Sequence, residues 1–244
     1  MMSEIFEQTE PEQEPERKRE KPVARRPVKP QYAACLKKKA YGVFHGLWAS
    51  LFYSGRTSGK SALICAANRR EGASTIASGL ALAGSEPAGV ARVALVDLNL
   101  RNPSVHRLFR IQQAPGVAEV IADGKQPETV LKANSPSLDV YPAGNVNGRI
   151  LEILRAERLG SFLQGLAAAY DYVLIDAAPV NQFPDAQVLT SIIKDVVLVA
   201  RTQRTPREAL AQAKKRLEAG GGRVVGLVLN LRTYPIPKFL YSRV

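Results

Sequence analysis

Cysteine, tryptophan and long apolar runs are scarce or absent in this sequence. Among 244 residues there are two cysteines and one tryptophan, and Cys35 and Cys65 lie too far apart in the chain to suggest a metal-binding pair. No run of about 18 apolar residues occurs, so no membrane-spanning helix is expected. The N-terminus also lacks the apolar segment of a signal peptide. From these absences we expect the protein to reside in the reducing environment of the cytoplasm.

A lysine is missing as well, at the position where it would matter most. An apolar run at residues 62–66 is followed by a polar turn and then by small residues at helical spacing from 76 to 83. Strand, turn and helix in this order are the context of a phosphate-binding loop. In such a loop the lysine before the Ser or Thr reaches the β- and γ-phosphates, but here Ala73 precedes Ser74. The sequence therefore predicts a nucleotide-binding fold and casts doubt on nucleotide chemistry.

Charge is unevenly distributed along the chain. The formal net charge is +12; residues 1–16 carry six Glu and no base, whereas residues 17–39 carry ten Lys or Arg and one Glu. Because residues 1–39 have little apolar surface to bury, we predict a disordered charged tail, followed by one domain at 40–232 and a C-terminal tail at 233–244. Two interpretations of the basic segment stay open: it binds an anionic partner such as membrane lipid, nucleic acid or an acidic protein, or it is merely solvated.

Apolar runs alternate with helical patterns along the predicted domain. The runs are nearly continuous in Val, Leu and Ile, which is typical of parallel strands covered on both faces. With right-handed crossovers they predict a three-layer, doubly wound, mostly parallel α/β sheet. The predicted strands are 62–67, 92–97, 138–142, 172–177, 195–201 and 223–230, and the predicted helices are 40–53, 74–85, 150–169, 186–193 and 206–219.

Three side chains are expected to meet at the carboxyl ends of the strands, where such sheets bind their ligands. Asp97 and Asp176 each close an apolar run, and Ser74 follows the predicted loop. A carboxylate at the end of a buried strand is costly unless it binds a metal, a helix N-terminus or a hydroxyl group. We therefore predict Ser74, Asp97 and Asp176 as Mg²⁺ ligands of a Mg-nucleotide site, and the two aspartates as catalytic candidates.

Longer segments resemble one known family. Residues 66–75 read AANRREGAST, residues 96–109 read VDLNLRNPSVHRLF, and residues 170–180 read YDYVLIDAAPV. Their order and spacing over residues 42–232 resemble the bacterial tyrosine kinases (BY-kinases) of capsule and exopolysaccharide systems. That family is a branch of the MinD/ParA-type deviant P-loop ATPases, and the second segment favours the kinase branch.

The departures from the family pattern weaken the expected site. By this resemblance Ala73 replaces the catalytic lysine, Asn99 replaces the second aspartate of the Walker A′ pair, and Arg69-Arg70 replace Pro-Gly. Removing a comparable transition-state contact costs about 3–4 kcal/mol, or about a hundred- to a thousandfold in rate. The two arginines either supply positive charge to phosphates or point into solvent.

The resemblance implies a nucleotide site with weak or no affinity for ATP or ADP and Mg²⁺. Phosphates would contact loop N–H groups at a helix N-terminus, and Asn230 would line the base pocket by family similarity alone. The expected cofactor-binding residues are Arg70, Glu71, Gly72, Ala73, Ser74, Thr75 and Asn230.

The resemblance also implies partners. A membrane-embedded polysaccharide copolymerase-type protein would dock on the domain and hold it in the cytoplasm, peripheral to the inner face of the plasma membrane. The basic segment 17–39 is a second candidate contact with anionic membrane, and DNA is less favoured. In the family, Glu-x-x-Arg-x-x-Arg on the first helix joins subunits into a ring; Gly42, His45 and Trp48 stand there, so homo-oligomerisation stays open.

Three functions compete on this evidence. The leading hypothesis is a degenerate, tyrosine-kinase-like P-loop protein that acts as a regulatory or scaffold component of exopolysaccharide or capsule biosynthesis and export. The second is an active ATP-dependent tyrosine autokinase, with Asp97 as base and with Tyr234 and Tyr241 as phosphoacceptors. The third is a ParA- or MinD-like positioning ATPase that binds DNA or a membrane surface.

Overall fold

Six parallel strands form one sheet in the computed structural model, which describes residues 38–86, 91–125 and 137–232. The strand order is β3-β2-β4-β1-β5-β6, so the chain winds outward from β1 in both directions. This confirms the predicted doubly wound parallel sheet with helices on both faces. The strands are β1 (Ser61–Ala66), β2 (Val93–Leu98), β3 (Leu138–Tyr141), β4 (Tyr172–Ala177), β5 (Asp195–Arg201) and β6 (Arg223–Asn230).

Eight helices are described, and they differ from the predicted ones at four places. The segment 150–169 holds two helices because Ala156 between them is extended, with ψ 131°. The helix predicted over 186–193 ends at Leu189, and two short helices lie where none was predicted, since helices of five or seven residues show little periodicity. The helices are α1 (Lys38–Phe52), α2 (Ala73–Gly84), α3 (Val105–Phe109), α4 (Val117–Asp123), α5 (Ile150–Arg155), α6 (Glu157–Ala169), α7 (Asp185–Leu189) and α8 (Arg207–Ala219).

The sheet separates two apolar layers. Side chains that alternate along each strand pack against α1, α2 and α3 on one face and against α4 to α8 on the other. The strands β1, β2 and β4 are buried along nearly their whole length, which explains why their sequences read as continuous apolar runs. Burial on both faces therefore gives the carboxyl ends of these strands a rigid base.

Helix α1 packs directly on the backbone of α2. No Cβ would fit at Gly79, which faces the ring of Phe44, or at Gly84, which faces the indole of Trp48. The indole of Trp48 also lies 4.8 Å from the ring of Tyr172 in β4. Trp48 is thus a core residue, at one of the three positions for which the resemblance leaves a subunit contact open.

Some predictions concern residues outside the described part of the chain. The predicted charged tail falls almost wholly on residues 1–37, and the predicted C-terminal tail with Tyr234 and Tyr241 falls on residues 233–244, neither of which is described. Within the described ranges, no helix is both long and apolar enough to cross a membrane.

Candidate functional site

The predicted phosphate loop, residues 67–72, joins β1 to α2 and has a defined backbone. Arg70 adopts a left-handed conformation with φ 63°, which a residue other than glycine rarely does. Gly72 also has positive φ, at 90°, and directly precedes α2. A Cβ at Gly72 would collide with the side-chain amide of Asn230. Glycine is therefore required here, both for the backbone conformation and for this close approach.

The side chain of Glu71 holds the loop in place. Its carboxylate accepts hydrogen bonds from the Asn68 backbone N–H at 2.9 Å, the Asn68 amide at 3.2 Å and the Thr205 hydroxyl at 2.6 Å. The Asn230 amide donates to the Glu71 carbonyl oxygen at 2.9 Å. Contacts within the protein thus link the loop to the turn after β5 and to the end of β6.

Asp97 and Asp176 end neighbouring strands and lie opposite each other in the β2–β4 register. Both are fully buried. Asp97 accepts backbone hydrogen bonds from Asn99, Ser104 and Val105, each at 3.1 Å. Burial nevertheless raises the pKa of Asp97 to about 6, against the lowering effect of these donors and of the Arg107 charge.

Asp176 lacks this support. Neither of its carboxylate oxygens has a hydrogen-bond partner of good geometry. Burial, and then the charge of Asp97, hold the pKa of Asp176 well above its usual range, and the nearby Ser74 hydroxyl lowers it only in part. The predicted trio of Ser74, Asp97 and Asp176 is thus brought together, and Asp176 presents two free acceptor atoms.

A cavity of about 490 Å³ opens over the loop. Six of the predicted cofactor-binding residues line it, namely Arg70, Glu71, Gly72, Ala73, Ser74 and Thr75. The seventh, Asn230, is not among the lining residues, because its amide packs beneath the loop at Gly72 and Glu71. Asp97 and Asp176 do not line the cavity either, so their catalytic role stays a prediction.

The opposite wall of this cavity is formed by residues for which the sequence predicted no role. Arg101 binds Asp185 through two hydrogen bonds, at 2.9 and 3.0 Å, and Asp185 is fully buried. The guanidinium of Arg101 lies 4.7 Å from the ring centre of Phe183, and that of Arg69 lies 5.5 Å from it. Arg69 therefore lies at the mouth of the cavity, where both Arg69 and Arg70 are still exposed to solvent. Arg101 lies in the segment 96–109 that resembles the family, and Asp185 belongs to a further short match to the family, Asp185-Ala186; this resemblance was the only signal in the sequence.

Asn99 adds a further unused acceptor. It is buried, lines the cavity, and its side-chain oxygen has no hydrogen-bond partner. The Ser74 hydroxyl, which also lines the cavity, and the nearby carboxylate of Asp176, which does not, are further oxygen donors at this end of the sheet. Such a donor set is of the kind that Mg²⁺ prefers, whereas the wall at Ala73 offers only a methyl group.

The comparisons with known proteins agree with this architecture. Over 172 residues the chain is 31% identical to the tyrosine-protein kinase YwqD of Bacillus subtilis, and the alignment covers 70% of this chain and 72% of YwqD. The solved kinase domain of the Escherichia coli tyrosine kinase ETK superposes with a TM-score of 0.72 at 25% identity, over 81% of this chain and 80% of that one.

A more distant structure shows how far the fold extends. The cell division ATPase MinD of Pyrococcus furiosus superposes with a TM-score of 0.59 at 20% identity, over 70% of this chain and 71% of MinD, and shares the fold alone. No protein-family model matches the sequence. The 31% identity to YwqD, over 72% of its length, is nevertheless sufficient to show that the chain belongs to the family of bacterial tyrosine-protein kinases.

Proposed function

We propose that this chain is a degenerate member of its family and acts through contact with other proteins, not through phosphoryl transfer. It would serve as a cytoplasmic regulatory or scaffold component of exopolysaccharide or capsule biosynthesis and export. One observation carries the proposal: the phosphate loop is fully formed, yet the residue before Ser74 is Ala73. A loop of this shape without its cation keeps the surface of a kinase domain and loses the group that acts on the γ-phosphate.

We infer that no neighbouring arginine replaces the missing cation. Arg101 is held by the buried carboxylate of Asp185, and Arg69 lies over Phe183 at the mouth of the cavity. Arg70 lines the cavity from the loop, two residues before Gly72. A lysine at residue 73 would instead start from the first residue of α2.

The remaining residues fit a divalent cation better than they fit a triphosphate. The free oxygens of Asp176, the Asn99 oxygen and the Ser74 hydroxyl are hard ligands suited to Mg²⁺. Mg²⁺ would supply charge neutralisation to bound phosphates, which the loop N–H groups would orient. With one cationic group removed, we expect binding of ATP or ADP that is weak or absent.

The partner implied for this function is a membrane-embedded polysaccharide copolymerase-type protein. Docking on it would place the domain at the inner face of the plasma membrane, and the basic residues 17–39 are suited to an anionic surface there. Homo-oligomerisation would have to proceed without the charged ring contact, because Gly42 is exposed and lacks a side chain while Trp48 is buried.

Calorimetry with ATP and ADP in the presence of Mg²⁺ tests the proposal. The natural chain, Ala73→Lys and Ala73→Met are compared, because Met matches the length of Lys without its charge. We expect binding only for Ala73→Lys. Micromolar binding by the natural chain would contradict the proposal, and equal gains with Met and Lys would show that volume, not charge, limits the site.

An active tyrosine autokinase is the second candidate, favoured by the three arginines that line the cavity. Incubation with radiolabelled ATP, followed by mapping of label on Tyr234 and Tyr241, separates it from the first. A ParA- or MinD-like positioning role is the third, favoured by the net charge of +12. Salt-dependent binding to non-specific duplex DNA would support that role, and no binding at low salt would remove it.

A further inference from the structure

The outer edge of the sheet at β6 exposes leucines. The side chains of Leu227 and Leu229 are 49% and 60% exposed, and Leu231, just beyond the strand, is 46% exposed. Leu227 pairs with Leu198 and Leu229 with Ala200 of β5, so both leucines point to the same face of the sheet. Val228, between them, packs into the core layer of the other face.

The backbone at this edge is also free to pair. The Thr202 N–H donates to the carbonyl oxygen of Asn230 at 2.8 Å, so the peptide groups of Asn230 face β5. Backbone groups alternate in direction along a strand, and those of Leu227 and Leu229 therefore face away from it. Among the described residues β6 pairs with β5 alone, and an open apolar edge of this kind is a template for another strand.

We propose that the chain's own C-terminal segment, residues 233–244, pairs antiparallel with β6 as a seventh strand. Leu231 has φ 54°, a left-handed conformation typical of a chain reversal. A four-residue turn at 230–233, a common length for hairpins, places Tyr234 opposite Leu229 and Ile236 opposite Leu227. Opposite residues share a face, so these side chains cover the two exposed leucines.

The two prolines of the segment specify this register. Pro235 and Pro237 have no N–H, so they can stand only where the backbone faces away from β6. With Tyr234 and Ile236 directed at β6, both prolines face solvent. A register shifted by one residue would place both prolines against β6 and lose two donors. In the proposed register the prolines also protect the new outer edge against further pairing.

Distance and chemistry both favour the chain's own C-terminal segment as the strand that covers the edge of β6. The described residues end at Arg232, two residues past β6, and the sequence then reads TYPIPKFLYSRV. This segment is tethered beside the exposed leucines and alternates apolar residues with proline. The inference does not depend on whether nucleotide binds, and it implies that Tyr234 is packed against the sheet.

Hydrogen exchange of the full chain tests the proposal, with Ile236→Pro and Pro237→Ala as a matched pair. Ile236→Pro removes an N–H that faces β6, whereas Pro237→Ala changes a residue that faces solvent. We expect the amides of Leu227 and Leu229 to exchange about tenfold faster in Ile236→Pro than in the natural chain. Pro237→Ala should leave them unchanged, and the Val228 amide, which faces β5, should be equally protected in all three.

Two outcomes would overturn the proposal. If Leu227 and Leu229 exchange at the same rate in the natural chain and in Ile236→Pro, the segment does not pair with β6 in this register. If their protection instead increases with protein concentration, a second copy of the chain covers the edge. Exchange of the β1 amides serves as the control that each variant is folded.

Discussion

Asp97 and Asp176 stand opposite each other on adjacent parallel strands, both shielded from solvent, but only Asp97 has backbone donors. The neighbouring peptide groups after β2 turn toward Asp97, whereas the oxygens of Asp176 face no backbone donor and have only the Ser74 hydroxyl nearby, outside good hydrogen-bond geometry. The pair is therefore asymmetric. The carboxylate of Asp97 fixes the turn after β2 through its backbone hydrogen bonds. The carboxylate of Asp176 lacks such bonds, and its burial lowers the stability of the fold.

Replacement of Asp176 should stabilise the fold at high pH. The pKa of Asp97 rises from 3.8 to about 6 on folding, and burial and the charge of Asp97 hold the pKa of Asp176 well above 3.8. Below pH 3.8 the two carboxyl groups are protonated in the folded and in the unfolded protein. Between pH 3.8 and the folded-state pKa the unfolded chain loses these protons while the folded protein keeps them, and above the folded-state pKa the folded protein holds a buried charge. The free energy of unfolding therefore decreases as pH rises through this range. We expect Asp176→Asn to raise the free energy of unfolding by about 1–3 kcal/mol at pH 8, and by less at pH 5.

Urea unfolding at the two pH values measures this effect, and Asp195→Asn is the control. Asp195 is also a buried carboxylate, but it is paired with Arg223 at 2.8 Å. Its replacement should destabilise the protein, because it weakens a partnered charge. A loss of stability in Asp176→Asn at both pH values would show that the Asp176 carboxyl has a stabilising partner.

Removal of the Glu71 side chain should loosen the phosphate loop without unfolding the domain. Its carboxylate accepts three hydrogen bonds and is 4% exposed. We expect Glu71→Ala to cost about 1–3 kcal/mol and to speed exchange of the Asn68 amide. The exposed Glu208, in the first turn of α8, is the control, and Glu208→Ala should change neither quantity. Unaltered exchange at Asn68 would mean that other contacts hold the loop.

Breaking the ion pair at the cavity wall should be far more costly than breaking a surface pair. Arg101→Ala leaves Asp185 buried without its partner, which we expect to cost about 3 kcal/mol. Arg149→Ala removes a pair with Asp123 in which both side chains are about one-third exposed, and should cost less than about 1 kcal/mol. Thermal and urea unfolding of both variants provide the comparison, and equal costs would refute it.

Two helical glycines should respond in opposite ways to the same substitution. Gly84→Ala places a methyl group against the Trp48 indole, and such overpacking costs about 1–3 kcal/mol. Gly46→Ala, in α1, meets nothing within 4 Å and should stabilise the helix by about 0.5–1 kcal/mol. Melting temperatures measure both changes. A stabilised Gly84→Ala variant would show that α1 and α2 separate easily.

The fold was predictable because burial on both faces leaves a strong pattern in the sequence. The strands around β1 are continuous apolar runs, and the small residues of α2 reveal a helix close to its neighbours. The break at Ala156 and the short helices α3 and α4 were not predictable, since tertiary contacts, not helical periodicity, decide such short elements.

In the candidate site, the loop, the two strand-end aspartates and the lack of a lysine at Ala73 could all be read from the chain alone. Each of these is a local property of a strand and the residues that follow it. The folded chain was needed to show that Glu71 and Asn230 hydrogen-bond within and beside the loop. It was also needed to show that Arg101, Asp185 and Phe183 form the facing wall. These residues are distant in the chain, and packing of the strands brings them together.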